Sequence, residues 1–312
     1  MARVFGIGET VLDIIFKDNQ PVSAKAGGST LNSAVSLGRL GVDVNFISDY
    51  GKDDVGLLVD KFLSDNQVNT EYVTRMEDHK SALALAFLDE NNDAHYNFYR
   101  DFPEQRQINT DIEFTENDIL LFGSIFSISK STRKPLLKLL HEANDSRSTI
   151  IYDPNFRKPH FKDLAEFLPL IKENISFADI VRGSDEDFHL IFGANSAEQA
   201  YQFVLEAGCS KLIYTASDSQ VVILAPGVKI WMDVPKIETV STIGAGDNFN
   251  AGIIWTLISE ELNKGDIEQL PESIWRRIGE SGISFSAEVC KNMENYISIE
   301  FAVEVLGDQH TS

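Results

Sequence analysis

Cysteine is scarce: Cys209 and Cys290 are the only two in 312 residues. That excludes a secreted disulfide framework and a four-cysteine metal site, and points to a reducing compartment. Long apolar runs are missing as well. The clean apolar stretches fall far short of the ~20 residues that a membrane helix needs. The start, Met1-Ala-Arg-Val-Phe-Gly-Ile-Gly, lacks a basic region followed by an apolar core, so no signal peptide is expected and the cytoplasm is the expected location. Positive charge is in deficit, with 27 Lys and Arg against 48 Asp and Glu and a formal net charge of −21. Such a surface repels nucleic-acid phosphates and anionic lipid, so neither nucleic acid nor membrane is an expected partner. It leaves room for a local pocket in which a few amides and arginines meet a small anionic ligand. There is no internal repeat, low-complexity tract or long Pro/Gly/Ser linker, so one domain over 1–312 is expected.

What is present is an alternation. Val4 to Gly8, Val44 to Ser48, Ile119 to Phe122, Thr149 to Tyr152, Ile180 to Arg182 and Leu212 to Thr215 read as buried strands. Each is short and apolar, and each is closed by Gly, Ser, Asp or Asn. Between them run helical patterns. Val55, Leu58, Val59, Phe62 and Leu63 follow the i, i+3, i+4, i+7, i+8 spacing behind a cap at Asp53, and Ala34, Leu37 and Leu40 do so behind Ser29 or Thr30. The pattern predicts an α/β fold with a doubly wound, mostly parallel sheet and helices on both faces. In such folds ligands sit at the carboxyl ends of the strands. Val11 to Lys17 and Ser81 to Arg100 break the rhythm and read as hairpins, the second turning at Asn91-Asn92-Asp93. They predict a small β lid from about 10–25 and 80–102.

Three segments carry chemistry. Thr242-Ile243-Gly244-Ala245-Gly246-Asp247 opens a helix that continues through Ile253, Ile254, Trp255 and Leu257. Glycines permit close approach of the backbone to a ligand, and the first helix amides are free to receive a phosphoryl group. Asp247, beside those amides, is placed to accept the proton of an attacking hydroxyl. Taken alone, the segment is equally a tight turn with an acid favoured by the helix dipole. Ala26-Gly27-Gly28-Ser29-Thr30-Leu31-Asn32 brings paired glycines to another helix start, and the Asn32 amide can donate to and accept from sugar hydroxyls. A cap with packing glycines explains it as well. Asp153-Pro154-Asn155-Phe156-Arg157 follows a strand and offers an acid, an amide and a guanidinium, or a Pro-containing turn with a surface ion pair.

In this order the three segments resemble the ribokinase-like carbohydrate kinases, the PfkB family. The Gly-Gly-x-x-x-Asn-x-Ala stretch resembles its N-terminal signature and Gly-Ala-Gly-Asp its C-terminal one. Gly8-Glu9 with Asp13, Phe98-Tyr99-Arg100, Phe122-Gly123-Ser124-Ile125 and Asp153-Pro154-Asn155-Phe156-Arg157 look most like the bacterial fructokinase branch. The resemblance spans roughly Val4 to Cys290. It implies an ATP-dependent sugar kinase with Asp247 as base and Gly244, Ala245 and Gly246 as the anion hole. It implies that Asp13, Gly28 and Asn32 hold the sugar, that Arg100 reaches it from the lid, and that Arg157 and Asn155 face the phosphates. Thr215 and Ser217 fall on the nucleotide side, and Mg²⁺ would bridge the ATP phosphates. Asp187 and Glu186 would reach that metal through water. D-Fructose is the first expected acceptor, with 2-keto-3-deoxygluconate and ribose behind it. A homodimer through the lid would suit the apolar strand Leu83 to Leu88.

The departures are specific. Ser241 stands where the family usually has an Asp that helps hold a monovalent cation, which puts K⁺ activation in question. The usual Asn-x-x-Glu appears as Ser184-Asp185-Glu186-Asp187. The nucleotide-side stretch Thr215-Ala216-Ser217-Asp218-Ser219-Gln220 lacks glycine, and Met293-Glu294-Asn295 replaces the usual Gly-Ala. These leave open a non-catalytic sugar sensor on the same fold. A dinucleotide-binding oxidoreductase, suggested by Gly6-Ile7-Gly8, fails because Val11 occupies the third glycine position and a strand follows. The six histidines show no metal-ligand spacing, and Trp231, Trp255 and Trp275 read as packing residues.

Overall fold

Strands rich in β-branched residues pair side by side in a computed structural model that describes residues 2–88, 94–216 and 219–309. The chain runs β1 (Arg3–Ile7), β2 (Val11–Lys17), β3 (Gln20–Gly27), α1 (Ser29–Arg39), β4 (Asp43–Ile47), β5 (Asp49–Gly51), α2 (Asp54–Asp65), β6 (Val68–Asn69), β7 (Thr74–Met76), β8 (Leu83–Leu88) and β9 (Ala94–Tyr99). It continues with β10 (Ile119–Gly123), α3 (Arg133–Asp145), β11 (Thr149–Asp153), α4 (Leu164–Phe177), β12 (Ile180–Ser184), α5 (Asp185–Phe192), α6 (Ala197–Glu206) and β13 (Leu212–Ala216). Then come β14 (Gln220–Ala225), β15 (Val228–Asp233), α7 (Ala245–Ser259), α8 (Lys264–Ile267), α9 (Glu272–Cys290) and α10 (Ile299–Gln309).

The large sheet has the order β15-β14-β13-β12-β11-β10-β1-β4-β6. Its strands are parallel from β6 to β13. Alternate residues serve opposite cores, as the pleat requires. Ile119 and Leu121 of β10 join a core with Leu31 of α1, Val59 of α2, Ile253 of α7 and Ile278 of α9. Leu120 and Phe122 join the other, with Leu136 of α3, Ile171 of α4, Phe188 of α5 and Val204 of α6. This is the expected doubly wound arrangement. The antiparallel edge formed by β14 and β15 was not anticipated from the sequence. No helix among the described residues is long and apolar enough to cross a membrane.

The two hairpins combine into a separate four-stranded sheet of order β3-β2-β8-β9. The β2–β3 and β8–β9 pairs are antiparallel, β2 and β8 are parallel, and Phe16 stacks on Phe87 with ring centroids 4.9 Å apart. The turn expected at Asn91-Asn92-Asp93 lies outside the described residues.

Two helix starts anchor the main fold to the strands of the small sheet. Asp53 caps α2 as expected, accepting from Gly56 N–H at 2.9 Å. It also accepts from Ser81 Oγ at 2.6 Å and Ser81 N–H at 3.1 Å, tying α2 to the approach to β8. The cap expected at Ser29 or Thr30 lies instead at Gly28, directly after β3, with φ 142°. The physical reason is space: a Cβ on Gly28 would lie 2.1 Å from the carbonyl oxygen of Glu9. Replacing Asp53 by Ala removes the cap and the Ser81 tie, and should lower stability by about 1–2 kcal/mol, read from the urea midpoint.

Candidate active site

Gly244 caps α7 in the left-handed region, φ 82°, where a Cβ would lie 2.5 Å from the Asn295 carbonyl oxygen. Asn248 Nδ2 donates to Gly244 O at 2.7 Å and Asn295 O at 2.8 Å, while Ser36 Oγ donates to Asn248 Oδ1. The turn is thereby bolted to α1 and to the segment after α9. Deeper down, the helices meet backbone to backbone, since a Cβ on Gly252 would lie 2.6 Å from Ser281 O. Of the amides expected as an anion hole, Ala245 N–H already makes a long 3.3 Å bond to Thr242 O. Those of Gly246 and Asp247 precede the first intrahelical bond, from Asn248 N–H to Gly244 O at 2.9 Å, and carry the positive end of the helix dipole.

Asp247 is 8% exposed. Asn32 Nδ2 donates to its Oδ2 at 2.8 Å, and Ser33 Oγ donates to its carbonyl at 2.6 Å. Burial pushes its carboxyl up to about 7, with Asp153 adding to the rise and Asn32, Arg157 and Arg182 opposing it. Asn32 Oδ1, buried in the same place, has no hydrogen-bond partner among the described residues. A carboxyl that titrates near neutrality thus lies against an amide with an unused acceptor, a pair suited to receiving a hydroxyl.

Beneath α7 a polar network joins three strand ends. Asp153 Oδ2 accepts from Arg182 Nη1 at 3.0 Å and from Asn250 Nδ2 at 2.7 Å, and its Oδ1 accepts from Asn155 N–H at 3.0 Å. Arg182 Nη2 donates to Thr215 Oγ1 at 2.8 Å. The Thr215 hydroxyl is therefore engaged inside the protein, whereas it was expected toward nucleotide. Ser217 lies outside the described residues. Asn155 holds φ 39°, and Arg157 is exposed beside it.

The expected metal-side acids have structural partners. Asp187 forms a capping box with Ser184 and accepts from Phe156 N–H, and burial and Asp153 raise its carboxyl. Glu186 pairs with Lys158 at 3.2 Å on the surface. Among the described residues no three His, Cys, Asp or Glu side chains converge on a metal position. No all-protein cage for a metal is therefore built among the described residues.

On the small-sheet side, burial lifts Asp13 to about 6, and a Cβ on Gly27 would lie 2.6 Å from its Oδ2. Arg100 lies 4.8 Å from the Phe98 ring centroid, with Nη2 3.6 Å from Glu9 Oε2. Glu9 also accepts from Arg106 at 2.9 Å, and Arg106 grips buried Asp49 with two nitrogens. Arg106, Arg182 and Asn250 were not singled out from the sequence. Arg106 lies in an irregular stretch, and Arg182 reads there only as the end of a strand. Asn250, three residues after Asp247 in the same helix opening, was the most accessible of these signals.

Ser241 works within its own turn, Oγ accepting from Ile243 N–H at 3.2 Å. Trp231 is 45% exposed, contrary to its reading as a packing residue. It lines a groove of about 670 Å³ with Ile237, Arg276, Ile283, Ala287 and Lys291. On the same helix Ser286, next to Ala287, donates to Ala245 O at 2.7 Å, so α9 contacts both the groove and the Gly244-Ala245-Gly246 turn. Its walls mix apolar side chains with two cations, Arg276 and Lys291, and two acids, Asp233 and Glu280.

Residues 1–270 match the pfkB family carbohydrate kinase profile. The chain belongs to the pfkB family of carbohydrate kinases. It is 24% identical over 286 residues to aminoimidazole riboside kinase of Salmonella typhimurium, covering 88% of this chain and 86% of that protein. It is 29% identical over 278 residues to fructokinase of Rhizobium leguminosarum bv. trifolii, covering 86% and 84%. A double mutant of Vibrio cholerae fructokinase, solved in a fructose, ADP and potassium ion bound form, superposes with a TM-score of 0.81 at 19% identity over 96% of this chain and 95% of that one. The protein is therefore a phosphotransferase acting on a sugar, on a ribokinase-like fold.

The raised Asp247 carboxyl affects stability. An acid whose pKa rises on folding binds more protons in the native state, so its contribution is full below about pH 4 and is lost as pH climbs through about 7. Asp247→Asn abolishes that loss. The variant should exceed the native protein at pH 8 by about 1–4 kcal/mol in urea unfolding, and the gap should close toward pH 4.

Proposed function

We propose that this kinase transfers the γ-phosphate of ATP to a hydroxyl of an uncharged sugar, with D-fructose as acceptor and fructose 6-phosphate as product. The observation that carries the reading is the Asp247–Asn32 pair at the start of α7, with its unused Asn32 acceptor. The likeness to fructokinases over most of the chain supports fructose. Ribose and 2-keto-3-deoxygluconate are the next acceptors to test.

In this reading Asn32 orients the acceptor hydroxyl and Asp247 takes its proton as the oxygen attacks the γ-phosphorus. Charge developing on the transferred group meets the Gly246 and Asp247 amides and the helix dipole. Asp13, Gly28 and Arg100 border the sugar. Arg100 exchanges its loose Glu9 contact for the sugar when the small sheet closes over the site, and closure excludes water. Arg157 and Asn155 face the phosphates, and the Trp231 groove holds the base. Mg²⁺, when bound, neutralises phosphate charge, and Asp187 and Glu186 would meet its waters. With Ser241 used within its own turn, turnover should not require K⁺.

Three measurements test this. ADP release with Mg-ATP should be strongest on D-fructose within a panel that includes ribose, 2-keto-3-deoxygluconate, tagatose and adenosine, with or without K⁺. Asp247→Asn should keep the fold and lower turnover by about 10² or more; unchanged turnover would remove Asp247 as base. The native pH profile should rise with an apparent pKa near 7, since the base acts only when deprotonated. Sugar binding without ADP release on any acceptor would favour the sensor.

A further inference from the structure

The geometry points to Arg182 as a positioning residue for phosphoryl transfer: its guanidinium is a fixed cation behind the Gly244-Ala245-Gly246 turn, setting the first turn of α7 and holding positive charge between Asp153 and Asp247.

The side chain rises from β12 into the space under that turn and is 7% exposed as a residue. Nη1 is held by Asp153 and Nη2 by Thr215. Its Cζ lies 5.5 Å from the ring centroid of Phe249, which belongs to α7. A Cβ on Gly246 would lie 2.5 Å from Nη1 and 3.1 Å from Nη2. The second glycine of the turn therefore has a reason beyond approach to a ligand: the helix backbone rests on the guanidinium, and any larger residue would displace one from the other. Since Arg182 is braced from two neighbouring strands, the height of the Gly246 and Asp247 amides above the sheet is set by this contact.

The arginine is poorly explained as a stabilising ion pair. Its Nε is buried without a hydrogen-bond partner among the described residues. A buried guanidinium is expensive to desolvate, and an unsatisfied donor adds to that cost. What the cation does is balance acids. The charged groups facing Asp247 are Asp153 from β11, Arg157 from the segment after β11, and Arg182 from β12; α1 offers the neutral Asn32. Arg157 is exposed to solvent, so Arg182 is the buried counter-charge. It also opposes the rise of Asp187, the other acid facing Asp153. Without it, Asp247 would stay protonated to a higher pH, and the base form would be scarcer at neutrality.

The inference rests on Asp247 as base but not on the identity of the sugar. The full-length enzyme is therefore assayed with Mg-ATP and whichever sugar the native protein phosphorylates fastest, beside Asp247→Asn. If Asp247→Asn keeps native turnover, the base reading fails regardless of Arg182. Arg182→Gln should lower kcat about 10- to 100-fold with sugar KM within about three-fold, as expected when reacting groups shift but the sugar contacts remain. Its pH–rate midpoint should move up by about one unit, the sign expected for loss of a cation near the base. Arg182→Lys should return the midpoint toward the native value but only part of kcat, because an ammonium lacks the two-pronged grip on Asp153 and Thr215. A Gln variant with the native midpoint, its kcat loss matched by its loss of folded protein in urea titration, would overturn the proposal. Where the Gln variant does not fold, the Lys variant decides. A kcat lowered at least about five-fold at unchanged KM and midpoint supports the proposal, and native kcat overturns it.

Discussion

Asp153 receives three donors from three parts of the chain: the Arg182 guanidinium from the next strand, the Asn250 amide from α7, and the Asn155 amide from its own turn. Parallel strands alone would leave the ends of β11, β12 and β13 to be placed by loose loops. One buried carboxylate, with Arg182 reaching on to Thr215, ties those ends to each other and to the helix above them. The underside of α7 is referred to that knot through Asn250 and Gly246, while Asn248, Asn32 and Ser33 tie the same turn to α1 and to the segment after α9. The knot carries charge on both sides, so removing one partner would strand the other in a low-dielectric interior, which is far more damaging than never having built the pair.

The same burial that fixes these groups opposes their ionisation. Asp247 is lifted to about 7 and Asp13 to about 6 because water has been excluded from around them. A carboxylate at its ordinary pKa would be fully ionised at neutrality and a weak acceptor of a sugar proton. Under the proposed role as base, raising Asp247 brings its proton affinity toward that of the task, and the folded state loses stability as the group ionises. Asn32 moderates the effect, donating one hydrogen bond to the carboxylate and leaving its oxygen unused. Among the described residues the site thus leaves acceptors unpaired, Asn32 Oδ1 and Asn250 Oδ1, as expected where a hydroxylated ligand supplies a missing donor.

The sheet was legible because its signal is local. Six buried strands announce themselves as short apolar runs with turn residues at their ends, and the Asp53 cap shows in its residue type and in the apolar spacing after it. The β14–β15 edge, absent from the sequence reading, carries a signal of the same local kind: Val221-Val222-Ile223-Leu224 is an apolar run, and Pro226-Gly227 is a two-residue turn, with Gly227 at φ 73° and Ala225 paired with Val228. The Gly244-Ala245-Gly246 turn was legible because glycine spacing records the backbone's needs directly. Arg182 was not, since a cation within an apolar strand has no local meaning until Asp153, Thr215 and Gly246 are brought to it from positions 29 to 64 residues away. Gly28 shows the limit at smaller scale. Its neighbours Ser29 and Thr30 are better caps by residue type, but the Glu9 carbonyl, 19 residues earlier, leaves no room for a side chain at the capping position.

Charge placement also bears on the acceptor. Asp13 touches Gly27 at one end of the α1 entrance, and Asp247 meets Asn32 in the first turn of the same helix. Two raised acids therefore flank a short stretch of backbone. The cation expected to reach the sugar, Arg100, already faces Glu9, whose other oxygen is taken by Arg106. An acceptor bearing a carboxylate or phosphate would add negative charge beside two groups already pushed toward their neutral forms, and would have to compete with Glu9 for Arg100. An uncharged polyol makes no such demand. In the proposed reading its hydroxyls would donate to Asp13, Asp247 and Asn32 Oδ1, and such bonds favour the ionised carboxylates that burial opposes. Under the proposed assignment, binding the correct acceptor itself helps bring Asp247 to its working charge, whereas an acidic sugar would hold it protonated.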